Sequence, residues 1–135
     1  MNAETILNAA RGVLAQRGRC FGQYEHAGEV CVLGAMAIAA GLEPEHWFEV
    51  QTTPADSLTD AEKNLIDAAR MLARVVVPQA DGVVLHDLVV LIGHWHDGER
   101  GPGDVRPANS EVMAALSAAA AVASALSLPV NGVVL

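Results

Sequence analysis

With 135 residues the chain has room for one domain with a real core and none for two. Its formal net charge of -8 and the absence of clustered Lys and Arg argue against a nucleic-acid backbone or an anionic membrane surface as partner. Hydrophobic residues make up 52% but aromatics only 4%, so the core must be filled by Ala, Val, Leu, Ile and Met, which favours closely packed helices.

From Ala3 to Gln16 the residues Ile6, Leu7, Ala10, Val13 and Leu14 recur at helical spacing, and Gly18 supplies the stop. The stretch Cys20 to Glu29, with Gly22 and His26-Ala27-Gly28, reads as an irregular loop or a short hairpin. Val30 to Ala40 is apolar on every side and predicts a helix in the middle of the bundle, closed by Gly41. A long connection with Pro44 and Pro54 runs from Leu42 to Leu58, with a short turn around Glu45 to Phe48. There Trp47 and Phe48 are expected to plug the core edge, and His46 to flank them on the surface.

Thr59 with Glu62 three residues on is a capping box, and Leu65, Ile66, Ala69, Leu72, Ala73 and Val76 give the following helix its apolar face. Pro78 ends it. A fourth helix is predicted from Asp81 or Gly82, with Val84, Leu85, Leu88, Leu91, Ile92 and Trp95 on one stripe. Gly98 to Pro107 can only be a loop. Asn109 or Ser110 caps a final Ala-rich helix from Glu111 to about Leu126, small enough on all faces to pack tightly within the fold or to pair two copies as a homodimer. The tail Val130 to Leu135 adds a short strand or lies along a groove.

The N-terminus has no basic region before an apolar run and does not read as a secretory signal, so a cytoplasmic location is expected. In that compartment Cys20 and Cys31 default to thiols, although a hairpin would bring them within reach of a disulfide. No charged residue follows Glu111, but Ala and Ser dominate this tail, which lacks the Leu, Ile and Phe density that drives membrane insertion.

Several elements together resemble a family of small uncharacterised proteins of actinobacteria and their phages, classed only as a domain of unknown function. The matching residues are Gly18, Cys20, Gly22, Gln23, Gly28, then Val30, Cys31, Leu33, Gly34 and Ala35 as V-C-x-L-G-A, and downstream Trp95, Asp97, Glu111 and Val112. The resemblance implies an architecture and a source but no activity. This chain departs from the pattern at three places: Arg19 replaces an aromatic before the Cys, His96 stands where Asn is expected between Trp and Asp, and the Gly98 to Pro107 loop is longer.

No Lys or Arg occurs between Arg19 and Lys63, whereas Glu25, Glu29, Glu43, Glu45, Glu49, Asp56, Asp60 and Glu62 all do. A solvated surface explains such a run, and so does a docking face for a basic protein through Glu43, Glu45, Glu49 and Asp56. Cys31, at the start of the apolar helix, is either a nucleophile activated by the helix terminus or a small core residue. His86, His94, His96 and Asp97 are the metal candidates, because His-x-His-Asp puts three donors where the helix ends. The same residues also suit an ordinary helix C-terminus, where His complements the dipole. Cys20, His26 and Cys31 lack the spacing of a zinc site, and Gly98 to Gly103 lacks the context of a phosphate loop.

The expectation is therefore a single all-α domain over residues 1–135, a compact bundle of about five helices. It carries no cofactor motif. Its leading reading is a non-enzymatic protein-interaction module with a basic partner, and its alternative a small metal- or thiol-dependent hydrolase or transferase.

Overall fold

A computed structural model describes residues 2–127, and the expected strand or groove-lying tail at Val130 to Leu135 falls outside them. Six α-helices and one two-stranded hairpin follow in chain order: α1 (Ala3–Arg17), β1 (Glu25–His26), β2 (Glu29–Val30), α2 (Val32–Ala39), α3 (His46–Thr52), α4 (Asp60–Val76), α5 (Leu85–Asp97) and α6 (Asn109–Ser127). The all-α expectation holds. The connection after α2 is more structured than expected, because α3 and a 3-10 turn at Ala55–Ser57 occupy it.

The start of α1 is fixed by the Asn2 side chain, which accepts from the Thr5 backbone N–H at 2.9 Å. Its end is fixed by Gly18, whose φ of 81° few other residues tolerate. The hairpin pairs Glu25 with Val30 and His26 with Glu29. Its turn residues Ala27 and Gly28 both have positive φ, 51° and 87°, the sign pattern of the tight turns that match strand twist. Ala27 is strained there. Replacing it with Gly is expected to raise stability by about 0.5–1 kcal/mol, measured as the shift in a urea midpoint.

Val30 is held between two segments: its N–H donates to Gly18 O and its carbonyl accepts from Cys20 N–H, both at 3.1 Å. The chain then turns into α2, where every residue from Val32 to Ala37 is buried. This helix is the central rod, packed against α1, α3, α4 and α5. With no polar face, burying Val32, Leu33 and Met36 contributes on the order of 1.5–3 kcal/mol each.

Trp47 is fully buried, and its indole N–H donates to Leu33 O at 2.7 Å, so α3 is pinned to α2 by packing and a hydrogen bond together. Phe48 corrects the sequence reading. It is 63% exposed: with Trp47 turned into α2, the next side chain, about 100° round the short helix α3, lies outside the core and against Tyr24.

The capping box of α4 forms as expected: Thr59 N–H donates to Glu62 Oε1 at 2.8 Å, and Glu62 N–H to Thr59 Oγ1 at 3.1 Å. Ile66 and Val76 lie only half buried, at the margin of the stripe. α5 begins at Leu85, later than Asp81 or Gly82, because a 3-10 turn at Pro78–Ala80 and the positive φ of Gly82 use up that stretch. Val84 becomes the residue before the helix and is 66% exposed, off the expected core stripe.

α6 starts two residues before Glu111, whose carboxylate accepts from Ala108 N–H at 2.9 Å and so caps the helix itself. Asn109 is occupied elsewhere, accepting from Arg19. Val112, Leu116 and Ala119 pack the helix against α1 and α4. The outward side carries Ala114, Ala118, Ala121 and Ala125. Residues Asn109–Leu126, with a mean hydropathy of 1.3, are long and apolar enough to cross a bilayer by length and composition.

Candidate functional site: a groove beside a buried Arg-His-Asp cluster

The end of α5 is where polar chemistry concentrates. Gly98 closes the helix in the left-handed conformation, φ 72°, which turns the chain back and leaves His96 and Asp97 facing the loop of residues 19–22. His96 is fully buried. Arg19 Nε donates to His96 Nε2 at 3.1 Å, so Nε2 must be the bare, accepting nitrogen. Nδ1 then carries the proton and donates to Asp97 Oδ1 at 2.8 Å. Asp97 Oδ2 accepts from Gly22 N–H at 2.9 Å. This geometry fixes the imidazole as neutral in one tautomer.

Arg19 spends its remaining donors on backbone and loop: His96 O at 3.1 Å, Pro107 O at 2.7 Å and Asn109 Oδ1 at 2.9 Å. Phe21 lies against the His96 ring with centroids 5.3 Å apart, and the guanidinium of Arg106 stacks 3.8 Å from the Phe21 centroid. Burial pushes the His96 pKa down, the Arg19 and Arg106 charges push the same way, and Asp97 only partly opposes them. For Asp97 burial works upward, but the hydrogen bonds from His96 and Gly22 outweigh it and hold the carboxyl below its ordinary range. Arg19, His96 and the Gly98 to Pro107 loop thus meet at one place.

Beside this cluster lies a groove of about 500 Å³. It is lined by Cys31, Val32 and Leu33 from the head of α2 with Val89, Val90 and Gly93 of α5. Its rim carries Tyr24, Phe48, Glu25, Glu45, His94 and Glu99, and Asp97 and His96 form one end. Tyr24 and Phe48 meet edge to face, centroids 5.1 Å apart. Burial raises the Tyr24 phenol, against a hydrogen bond with Gln51.

The sequence candidates divide as follows. His86 is exposed, with Nδ1 bonded to Gln51 Oε1 at 2.9 Å, and His94 is exposed on the groove rim. Only His96 and Asp97 touch, and both nitrogens of His96 are already committed. Among the described residues no three His, Cys, Asp or Glu side chains converge as a metal-binding group. Cys31 is the N-cap of α2, its thiol accepting from Gly34 N–H at 3.4 Å. Burial drives its pKa up to about 12, the reverse of nucleophile activation. Cys20 is likewise raised, by burial and by the nearby Glu29 and Asp97 carboxylates. The two cysteines are buried, free thiols.

Of the acidic run, Glu43, Glu45, Glu49 and Asp56 are exposed, and of these only Glu45 reaches the groove. Glu62 is largely withdrawn from the surface. It is 6% exposed and bonded to His46 Nε2 at 2.7 Å. The hydrogen bond from Thr59 N–H and the contact with His46 hold its carboxyl below the ordinary value. His46 is therefore a tie between α3 and α4, which corrects its reading as a simple surface residue. Arg19, Tyr24 and Phe48 escaped the sequence reading as site residues. The signal in the sequence is the isolation of Arg19, the single Lys or Arg between α1 and Lys63.

No curated protein and no solved structure matches the chain. A model described as a family of unknown function, DUF6197, matches residues 1–122, nearly the whole described domain, and the chain belongs to that family.

Proposed function

We propose that the protein is a non-enzymatic, cytoplasmic interaction module whose groove receives a basic segment of a partner protein. One observation carries this reading: the groove is open and largely apolar, and among the described residues four carboxylates line it (Glu25, Glu45, Asp97 and Glu99) and no Lys or Arg does. Charge complementarity of this kind selects a partner and speeds its encounter. The motif resemblance supports an actinobacterial or actinophage source. Pairing of two copies through residues 111–126 is a separate part of the reading and would use the outward alanines of α6, since its other side is taken within the fold.

Three of the side chains on which a hydrolase or transferase reading rests are engaged otherwise. His96 and Asp97 hold Arg19 and Gly22, and the Cys31 thiol stays protonated at neutral pH. Iodoacetamide at pH 8 is accordingly expected to label neither thiol of the folded protein and both in guanidinium, counted by intact mass. Rapid labelling of the folded chain would restore the thiol-enzyme alternative.

The interaction reading is tested by selecting a displayed random peptide library against the full chain. Enriched sequences should carry Lys or Arg, and their binding should weaken as salt rises. A selection that enriches nothing, or enriches sequences without basic residues, overturns it.

A further inference from the structure

Resting on that reading, we propose that the groove is specific for an arginine flanked by apolar residues, with Glu45 and Glu99 pairing its guanidinium and Phe48 stacking on it. The four lining carboxylates are not equivalent. Glu25 is committed to Arg17 at 2.9 Å, and Asp97 to His96 and Gly22. Glu45 and Glu99 have no side-chain partner among the described residues, and both are exposed on the rim. They come from different elements, one just before α3 and one just after α5, so they border the groove from separate segments of chain.

Phe48 supplies the second requirement. It is a large ring left 63% exposed, held against Tyr24 and lining the groove. An exposed aromatic in a groove that two uncommitted carboxylates also line suits a cation with a flat face. Guanidinium is that cation: it stacks on rings, forks to carboxylates and is less strongly hydrated than ammonium. The protein already uses this chemistry internally, where Arg106 and Arg19 lie 3.8 and 4.9 Å from the Phe21 centroid. A groove of about 500 Å³ exceeds a single side chain. The apolar lining, where Val90 is 36% exposed, therefore takes apolar neighbours of the arginine, and the recognised unit is a short peptide.

The test is calorimetric titration of the full chain with three blocked peptides, Leu-Arg-Leu, Leu-Lys-Leu and Leu-citrulline-Leu, the last being a neutral match to arginine in shape. The arginine peptide should bind roughly tenfold more tightly than the citrulline one, with lysine between them. Glu45→Gln with Glu99→Gln should cost the arginine peptide roughly tenfold and the citrulline peptide little, and Phe48→Ala should cost the arginine peptide roughly fivefold. These side chains are exposed, so the variants should fold as the parent does, and Asp56→Asn, remote from the groove, should change nothing.

Equal affinity for arginine and citrulline overturns the proposal, as does lysine equal to arginine. An arginine affinity unmoved by the double Gln variant also overturns it. If the displayed library yields basic ligands while these arms fail, the interaction reading survives and the arginine groove does not.

Discussion

Replacing Gly34 with Ala is expected to destabilise the protein by about 3 kcal/mol or more and to unseat the hairpin from α2. Local propensity predicts the opposite sign, since Ala in a helix interior is favoured over Gly by roughly 0.5–1 kcal/mol. Space decides the matter. A Cβ on Gly34 would overlap the Tyr24 carbonyl oxygen and stand 3.1 Å from its carbon and 3.4 Å from Pro44 Cβ. That carbonyl cannot retreat freely, because it accepts from Cys31 N–H at 3.3 Å and precedes β1. Gly34 N–H is also the donor to the Cys31 thiol, so one residue serves both the close approach and the N-cap. Gly12 is the control. It is exposed in α1 with open space where a Cβ would go, and Gly12→Ala should stabilise by about 0.5–1 kcal/mol. Urea unfolding of the two variants should shift in opposite directions. A Gly34→Ala protein as stable as its parent would refute this account of why glycine stands at position 34.

Much of the fold around Gly34 is legible in the sequence. Periodicity locates α1, α4 and α5, an unbroken apolar run locates α2, an Ala-rich run behind a cap locates α6, and the capping box fixes the start of α4 to the residue, because those signals are local. An all-apolar stretch from Val32 to Ala37 has nowhere to sit except the centre. The missed features are those that depend on partners distant in sequence. Nothing near Phe48 says that Trp47 will take the core, and nothing near Glu62 says that His46, 16 residues earlier, will bury it. The candidate site was half visible. His96 and Asp97 were singled out as donors at a helix end, but their meaning is set by Arg19, 77 residues away from His96, which turns a metal-like triplet into a structural cluster. The groove could not be inferred at all, since its walls come from the hairpin, α2, α3 and α5 together.

The second large effect concerns that cluster. Arg19→Ala is expected to cost about 3 kcal/mol or more, because it strips the donor from His96 Nε2 and from the carbonyls of His96 and Pro107 at once. Arg19→Lys should recover little of this, since an ammonium cannot reproduce the fork that reaches all of them. The pH dependence follows from the same geometry. The folded state holds His96 neutral, with its pKa below the ordinary 6.5, so the unfolded chain takes up a proton first as pH falls. The contribution of His96 is therefore fully present above pH 6.5 and is lost as pH drops below it, by at most about 1.4 kcal/mol per pH unit until the folded pKa is reached. Asp97 and Glu62 act later. Their folded values lie below 3.8 and 4.5, so what they contribute is present above those values and fails as pH falls beneath them. Stability measured by urea unfolding should thus begin to decline near pH 6.5, well before the carboxylates titrate. His96→Gln keeps an acceptor for Arg19 but cannot titrate, so it should lower stability at pH 7.5 by about 1–2 kcal/mol while removing the slope between pH 5 and 6.5. A parent protein whose stability is flat across that interval would mean that His96 is not held in the neutral, Arg19-accepting form. The loop of residues 19–22, which leads into the groove at Gly22, would then need another anchor.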